Sequence, residues 1–167
     1  VGPHNGAAVV ANTGDIANSG TGRIAGFVSG VSGATMHVDN AGVISAGAGN
    51  GVAVRALGTA VVRNSGTIAS AVGIDSSGAA NITNSGTITG TNGTAVKLTN
   101  AADTLTLLPG SRINGVVDMG LGNDIVNVIV GAPNTRVSTL STVVLPTLIN
   151  FTGVINTSLA GSRSTNP

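Results

Sequence analysis

The chain contains no cysteine. That excludes disulfides, thiolate metal centres and a cysteine nucleophile. Tryptophan and tyrosine are absent too, and Phe27 and Phe151 are the only aromatics. Without rings to stack on bases, and without a basic cluster, a single-stranded nucleic-acid binder is not expected. Glutamate is missing, all six acids are aspartates, and Lys97 is the only lysine. These two residue types sustain exposed helix faces, so their scarcity argues against helices. Charged residues make up 8% of the chain, against roughly 25% in ordinary soluble domains. No apolar run approaches the ~20 residues of a membrane-spanning helix. The opening "VGPHNG" is neither a signal peptide nor a natural start, so the 167 residues are expected to be a piece of a longer protein.

What is present is Gly, Thr, Val, Asn and small aliphatics. Hydrophobic residues reach 41%, and the formal net charge is +1. Disordered chains combine low hydrophobicity with high net charge, and this one has neither. The composition fits strands joined by tight turns.

The order of these residues repeats. "IANSGTGRI" begins at Ile16, "VDNAGVI" at Val38, "VRNSGTI" at Val62 and "ITNSGTI" at Ile82. Each places a β-branched residue two before an asparagine, then a small residue, then glycine, then isoleucine. Asn18, Asn40, Asn64 and Asn84 anchor the units at spacings of 22, 24 and 20 residues. A degenerate fifth copy is "LLPGSRI", with Leu107 in the β-branched place, Pro109 in the Asn place and Ile113 closing. "DTLTL" at Asp103 and "DIVNV" at Asp124 carry the period further.

A period of this length without a leucine-rich frame points to a parallel β-helix with three short strands per coil of about 20–25 residues. In the coil from Ala80, alternation places Ile82, Asn84, Ile88, Val96 and Leu98 inside, with Thr83, Thr87, Thr89 and Lys97 outside. "SG" and "GTNG" supply corners, glycine being tolerant of positive φ. The asparagines are expected to stack, with amides bonding from rung to rung or to turn backbone. Residues 1–131 read as coils. Residues 132–167 read as a less regular, strand-rich C-terminal coil or junction with a flexible end.

Asn84 to Gly131 carries Asn-Ser-Gly-Thr-Ile, Gly-Thr-Ala-Val, Leu-Thr-Leu-x-Pro-Gly-Ser-x-Ile-x-Gly and Gly-x-Gly-Asn-Asp in order. This resembles the passenger-domain repeats of bacterial autotransporters, the type V secretion proteins. "TLINFTG", Thr147 to Gly153, resembles more loosely the phrase with which such passengers approach their C-terminal region. The resemblance implies an all-β, right-handed parallel β-helix, exported through the outer membrane and displayed or released. It implies membrane attachment only through a translocator barrel, which this chain does not include. The expected role is a surface-displayed stalk or adhesin, with host or cell-surface glycans or matrix proteins as partners. The alternatives are a β-helical polysaccharide lyase or hydrolase fragment and a passive spacer. Exposed first and last coils are expected to invite self-association.

No catalytic, cofactor-binding or metal residue is assigned, and no cofactor is expected. "GLGNDIV", Gly120 to Val126, matches most of a calcium-binding nonapeptide, but it is a single copy and Met119 stands where its first glycine belongs. A glycine-rich corner with a capping aspartate is preferred. Asp103 and Asp124 fall in one phase of adjacent coils, where stacked carboxylates repel and one pKa can rise. That spacing also suits a retaining glycosidase. With no third acid, His or Arg placed beside them, turn-capping is preferred here as well. Arg55, Asp75 and Lys97 form an outward +/−/+ ladder, and Asp39 and Arg63 a second pair; both read as surface ion pairs. His4 and His37 lie in different coils, with His37 outward. The outward Thr87, Thr89, Thr104 and Thr106 suggest a flat threonine array, but the equivalents one and two coils before Thr87 and Thr89 are Thr67 and Ala69, then Val43 and Ser45. The array therefore decays at once. Ser45–Gly51 and Gly26–Gly33 are the places where a binding surface is expected to protrude.

Overall fold

In a computed structural model, which describes residues 6–47, 49–131 and 143–160, every described strand belongs to one parallel sheet. The chain is all-β and winds as a β-solenoid of about 6 turns. The strands are β1 (Ala7–Asn18), β2 (Arg23–Gly26), β3 (Ser29–Asn40), β4 (Val43–Ala46), β5 (Val52–Ala56), β6 (Ala60–Asn64) and β7 (Thr67–Ser76). They continue with β8 (Ala80–Asn84), β9 (Thr87–Lys97), β10 (Thr104–Leu107), β11 (Arg112–Asp118), β12 (Asp124–Val130), β13 (Leu148–Ile149) and β14 (Gly153–Leu159).

These strands stack into three faces. The first face takes the N-terminal part of β1 and β3, then β5, the ends of β7, β9 and β11, and β13. The second takes the C-terminal part of β1 and β3, then β6, β8, β10, β12 and β14. The third takes β2, β4 and the starts of β7, β9 and β11. Coils are counted here from β1.

Each face buries one column of branched aliphatics, because a strand points alternate side chains inward. Val9, Val31, Val54, Ile74, Val96, Val117 and Leu148 lie over one another on the first face. Ile16, Val38, Val62, Ile82, Leu105, Val126 and Ile155 do so on the second. Ile24, Ile44, Ile68, Ile88 and Ile113 complete the third. The middle members of all three columns are fully buried. Ile82, Ile88, Val96 and Leu98 point inward, and Lys97 is exposed, as alternation required.

Corner length, not strand length, sets the uneven period. Ala71 alone turns the third face into the first in coil three, whereas Thr91, Asn92 and Gly93 do so in coil four and protrude into solvent. In coil two the same corner spans the residues between Ala46 and Val52, within the expected insertion. Gly26–Gly33 is not a protruding irregularity. Its Ser29–Gly33 part is strand on the first face, and only Phe27 and Val28 stand out as exposed apolar residues there.

Beyond the fading of the repeat, β13 and β14 still pair in parallel on β11 and β12. The flexible end expected at the C-terminus, and the region of 132–142, lie outside the described residues.

Candidate functional site

The corner between the second and third faces is built by the repeat asparagines. Asn18 Nδ2 donates to Asn40 Oδ1 at 2.7 Å, Asn40 to Asn64 at 2.8 Å, and Asn64 to Asn84 at 2.8 Å. Each amide also faces turn carbonyls: Asn40 reaches Gly42 and Thr67, and Asn64 reaches Gly66 and Thr87. Asparagine supplies donor and acceptor in one side chain, so it can receive from the coil before and give to the coil after. All four are nearly inaccessible to solvent.

The fifth copy departs from its expected alignment. Leu105, not Leu107, sits under Ile82, and Leu107 sits under Asn84. Leu108 to Ser111 lengthen this corner, while Ile113 still pairs with Ile88. Asn84 therefore ends the ladder by donating to Ser111 Oγ at 2.7 Å.

Outside the ladder runs a trough of about 460 Å³, lined by the outward residues of the second face and by corner residues of successive coils. Ala17, Asp39, Arg63 and Thr83 form one wall, and Ser19, Ala41, Ser65, Ser85 and Leu108 the other. Arg63 Nη1 lies 3.6 Å from Asp39 Oδ1. It also donates to His37 Nε2 at 2.7 Å. A guanidinium only donates, so His37 accepts there and carries its proton on Nδ1. That nitrogen lies 3.3 Å from Asp15 Oδ1. His37 is outward and part-exposed, and it is held in a charged network with Asp15, Asp39 and Arg63, beside the trough rather than lining it. The sequence reading missed Asp15, although it stands three before Asn18 as His37 stands three before Asn40. His4 lies outside the described residues.

On the first face Arg55 pairs with Asp75 at 3.6 Å, and Lys97 follows in register. Asp118 extends this outward column by one more rung. The shift in register opposite Thr91–Gly93 conceals it from simple counting. Asp118 Oδ1 accepts from Gly120 N at 3.2 Å and from Asn150 Nδ2 at 2.8 Å.

The aspartates that begin β12 and precede β10 point inward. Asp103 Oδ1 accepts from Ala80 N at 2.7 Å, and Asp124 Oδ1 accepts from Asp103 N at 3.0 Å. At the same corner of earlier coils, Met36 N and Ala60 N are met instead by the carbonyls of Thr59 and Ala79. The carboxylates thus replace backbone carbonyls where the preceding loop is longer. Both are 1% exposed, and the second oxygen of each has no hydrogen-bond partner. Burial pushes the Asp103 carboxyl up to about 6; the Ala80 amide opposes this, and the Asp124 charge adds to it.

Among the described residues no three acidic, histidine or cysteine side chains gather as metal ligands, and Gly120–Val126 forms the corner into β12. Thr87 overlies Thr67 and Thr89 overlies Ala69, so the threonine array breaks as its spacing implied. No protein-family model, curated protein or solved structure matches the chain.

Proposed function

We propose that the chain is a passenger segment of a bacterial autotransporter, displayed at the cell surface as a β-solenoid stalk that adheres through its sides. The observation that carries this reading is the trough along the asparagine corner. It offers side chains at equivalent positions of consecutive coils, about 4.8 Å apart, to an extended ligand. Solenoids bind through such distributed surfaces. The trough surface is mostly apolar, with the Arg63 guanidinium and the Asp39 carboxylate on one wall. That mixture suits the apolar ring faces and the polar groups of host glycans or matrix proteins. The sequence resemblance across Asn84 to Gly131 supplies the secretion class.

An enzymatic reading is weaker on physical grounds. Asp103 and Asp124, the pair at glycosidase-like spacing, are shielded from solvent and each caps a backbone amide. A substrate reaches neither.

The test is binding of the purified chain to immobilised glycan and matrix-protein arrays. Saturable binding that weakens about tenfold in Arg63→Ala supports the proposal. Flat arrays from a chain with intact β circular dichroism overturn it in favour of a passive spacer. Depolymerisation of acidic glycans, lost in Asp103→Asn, overturns it in favour of an enzyme. Display is tested separately, by placing the segment between a signal sequence and a translocator barrel and probing intact cells with protease.

A further inference from the structure

The interior column that begins the second-face strands reads Met36, Ala60, Ala80, then Asp103 and Asp124. Two carboxyl groups on adjacent rungs thus replace small apolar residues inside the stack. Each spends one oxygen on an amide of the coil before, and each leaves the other oxygen unpartnered in a site closed to water. Among the described residues, no cation pairs with either. β8, β10 and β14 carry no charged residue, and Asp124 is the only one in β12. The charged residues of β9 and β11, Lys97, Arg112 and Asp118, belong to outward positions. Among the described residues of these elements, the only titratable group facing either carboxyl is the other one.

Two adjacent buried carboxylates cannot both ionise cheaply. One proton removes one of the charges and turns an orphan acceptor into a donor. We propose that Asp103 and Asp124 are a one-proton carboxyl pair that fastens coils four, five and six together, and that loss of this proton loosens the C-terminal coils. Burial favours the neutral form of the Asp103 carboxyl. This inference is independent of the adhesion reading.

The sign follows from linkage. The Asp103 carboxyl is raised from 3.8 to about 6 in the folded chain. Its neutral form therefore favours folding. That contribution is fully present below pH ~3.8 and is lost as pH rises through about 6. Ordinary salt-bridged aspartates act in the opposite direction.

The experiment is thermal unfolding of the whole chain at pH 4 and pH 7.5. It is repeated in a His37→Gln background, and the pH dependence is expected to persist there. The expected result is a Tm lower by about 5 °C at pH 7.5, and a flat profile in Asp103→Asn. Asp39→Asn, which alters an exposed carboxylate, keeps the slope. A Tm that rises with pH, or a slope that survives in Asp103→Asn, overturns the proposal. If millimolar calcium raises Tm at pH 7.5 in the parent but not in Asp103→Asn, the pair is a cation site and the one-proton assignment fails. Should Asp103→Asn not fold, carboxyl ¹³C titration of the parent decides. One buried aspartate titrating well above 5 supports the pair, and all aspartates titrating near 4 exclude it.

Discussion

A single asparagine in the ladder does several jobs at once. Asn64 accepts from Asn40, donates to Asn84 and faces the carbonyls of Gly66 and Thr87, all in a nearly dry corner. Asn64→Ala removes these bonds and leaves the buried Asn84 Oδ1 without its donor, whereas the Asn40 amide keeps the Gly42 and Thr67 carbonyls. An unsatisfied buried polar group costs about 1–3 kcal/mol in addition to the lost bonds. The expected loss is about 3 kcal/mol in urea unfolding; a loss below about 1 kcal/mol would mean that the ladder is not formed. The anchor was legible in the sequence because "NSG" recurs with a β-branched residue two before it. The termination at Leu107 was not. Matching backward from Ile113 assumed a constant corner, and Leu108 to Ser111 lengthen it. Asp103 and Asp124 were legible as capping residues of one phase. Their unpartnered oxygens depend on atomic packing that no spacing reports.

At the scale of strands and corners, register is conserved and length is not. The three aliphatic columns follow from alternation and were readable directly. Positive φ explains the corner glycine at Gly93, at 102°, but not the glycines of the "SG" corners. Gly66 and Gly86 are not at positive φ. A Cβ on Gly66 would instead collide with the Gly42 carbonyl, and one on Gly86 with the Gly66 carbonyl, because stacked coils bring their backbones together there. Gly66→Ala is expected to cost about 3 kcal/mol through displaced backbone, measured by the same unfolding. The outward Arg55–Asp75 rung is a contrast. Both groups are only part-buried, so Arg55→Ala is expected to change stability by less than about 1 kcal/mol. A larger loss would make that ladder structural. The Asp118 rung beyond Lys97 was hidden in the sequence by the bulge at Thr91–Gly93.

At the scale of the whole molecule, the columns give the stack its meaning: the same inner residue recurs from coil to coil, and the outer residues line up into surfaces. We propose that its ends associate. β14 is exposed along its length, and Ile155 continues a core column yet is 44% exposed. Exposed apolar side chains at the end of a strand stack favour association with further strands. Concentration-dependent association in sedimentation velocity, reduced by Ile155→Lys, is the expected outcome; a monomer at all concentrations would contradict it. The surface reading, the proton pair and the association all rest on coil-over-coil register. The cysteine-free chain allows that to be tested without background. Arg63 and Thr83 are outward partners on adjacent coils, and neighbouring strands lie about 4.8 Å apart, within disulfide reach. Mild oxidation of the Arg63→Cys/Thr83→Cys chain should close an intramolecular disulfide, while Val61→Cys/Thr83→Cys, slipped by two residues, should stay reduced. Efficient closure of the slipped pair with an open in-register pair would contradict the stack.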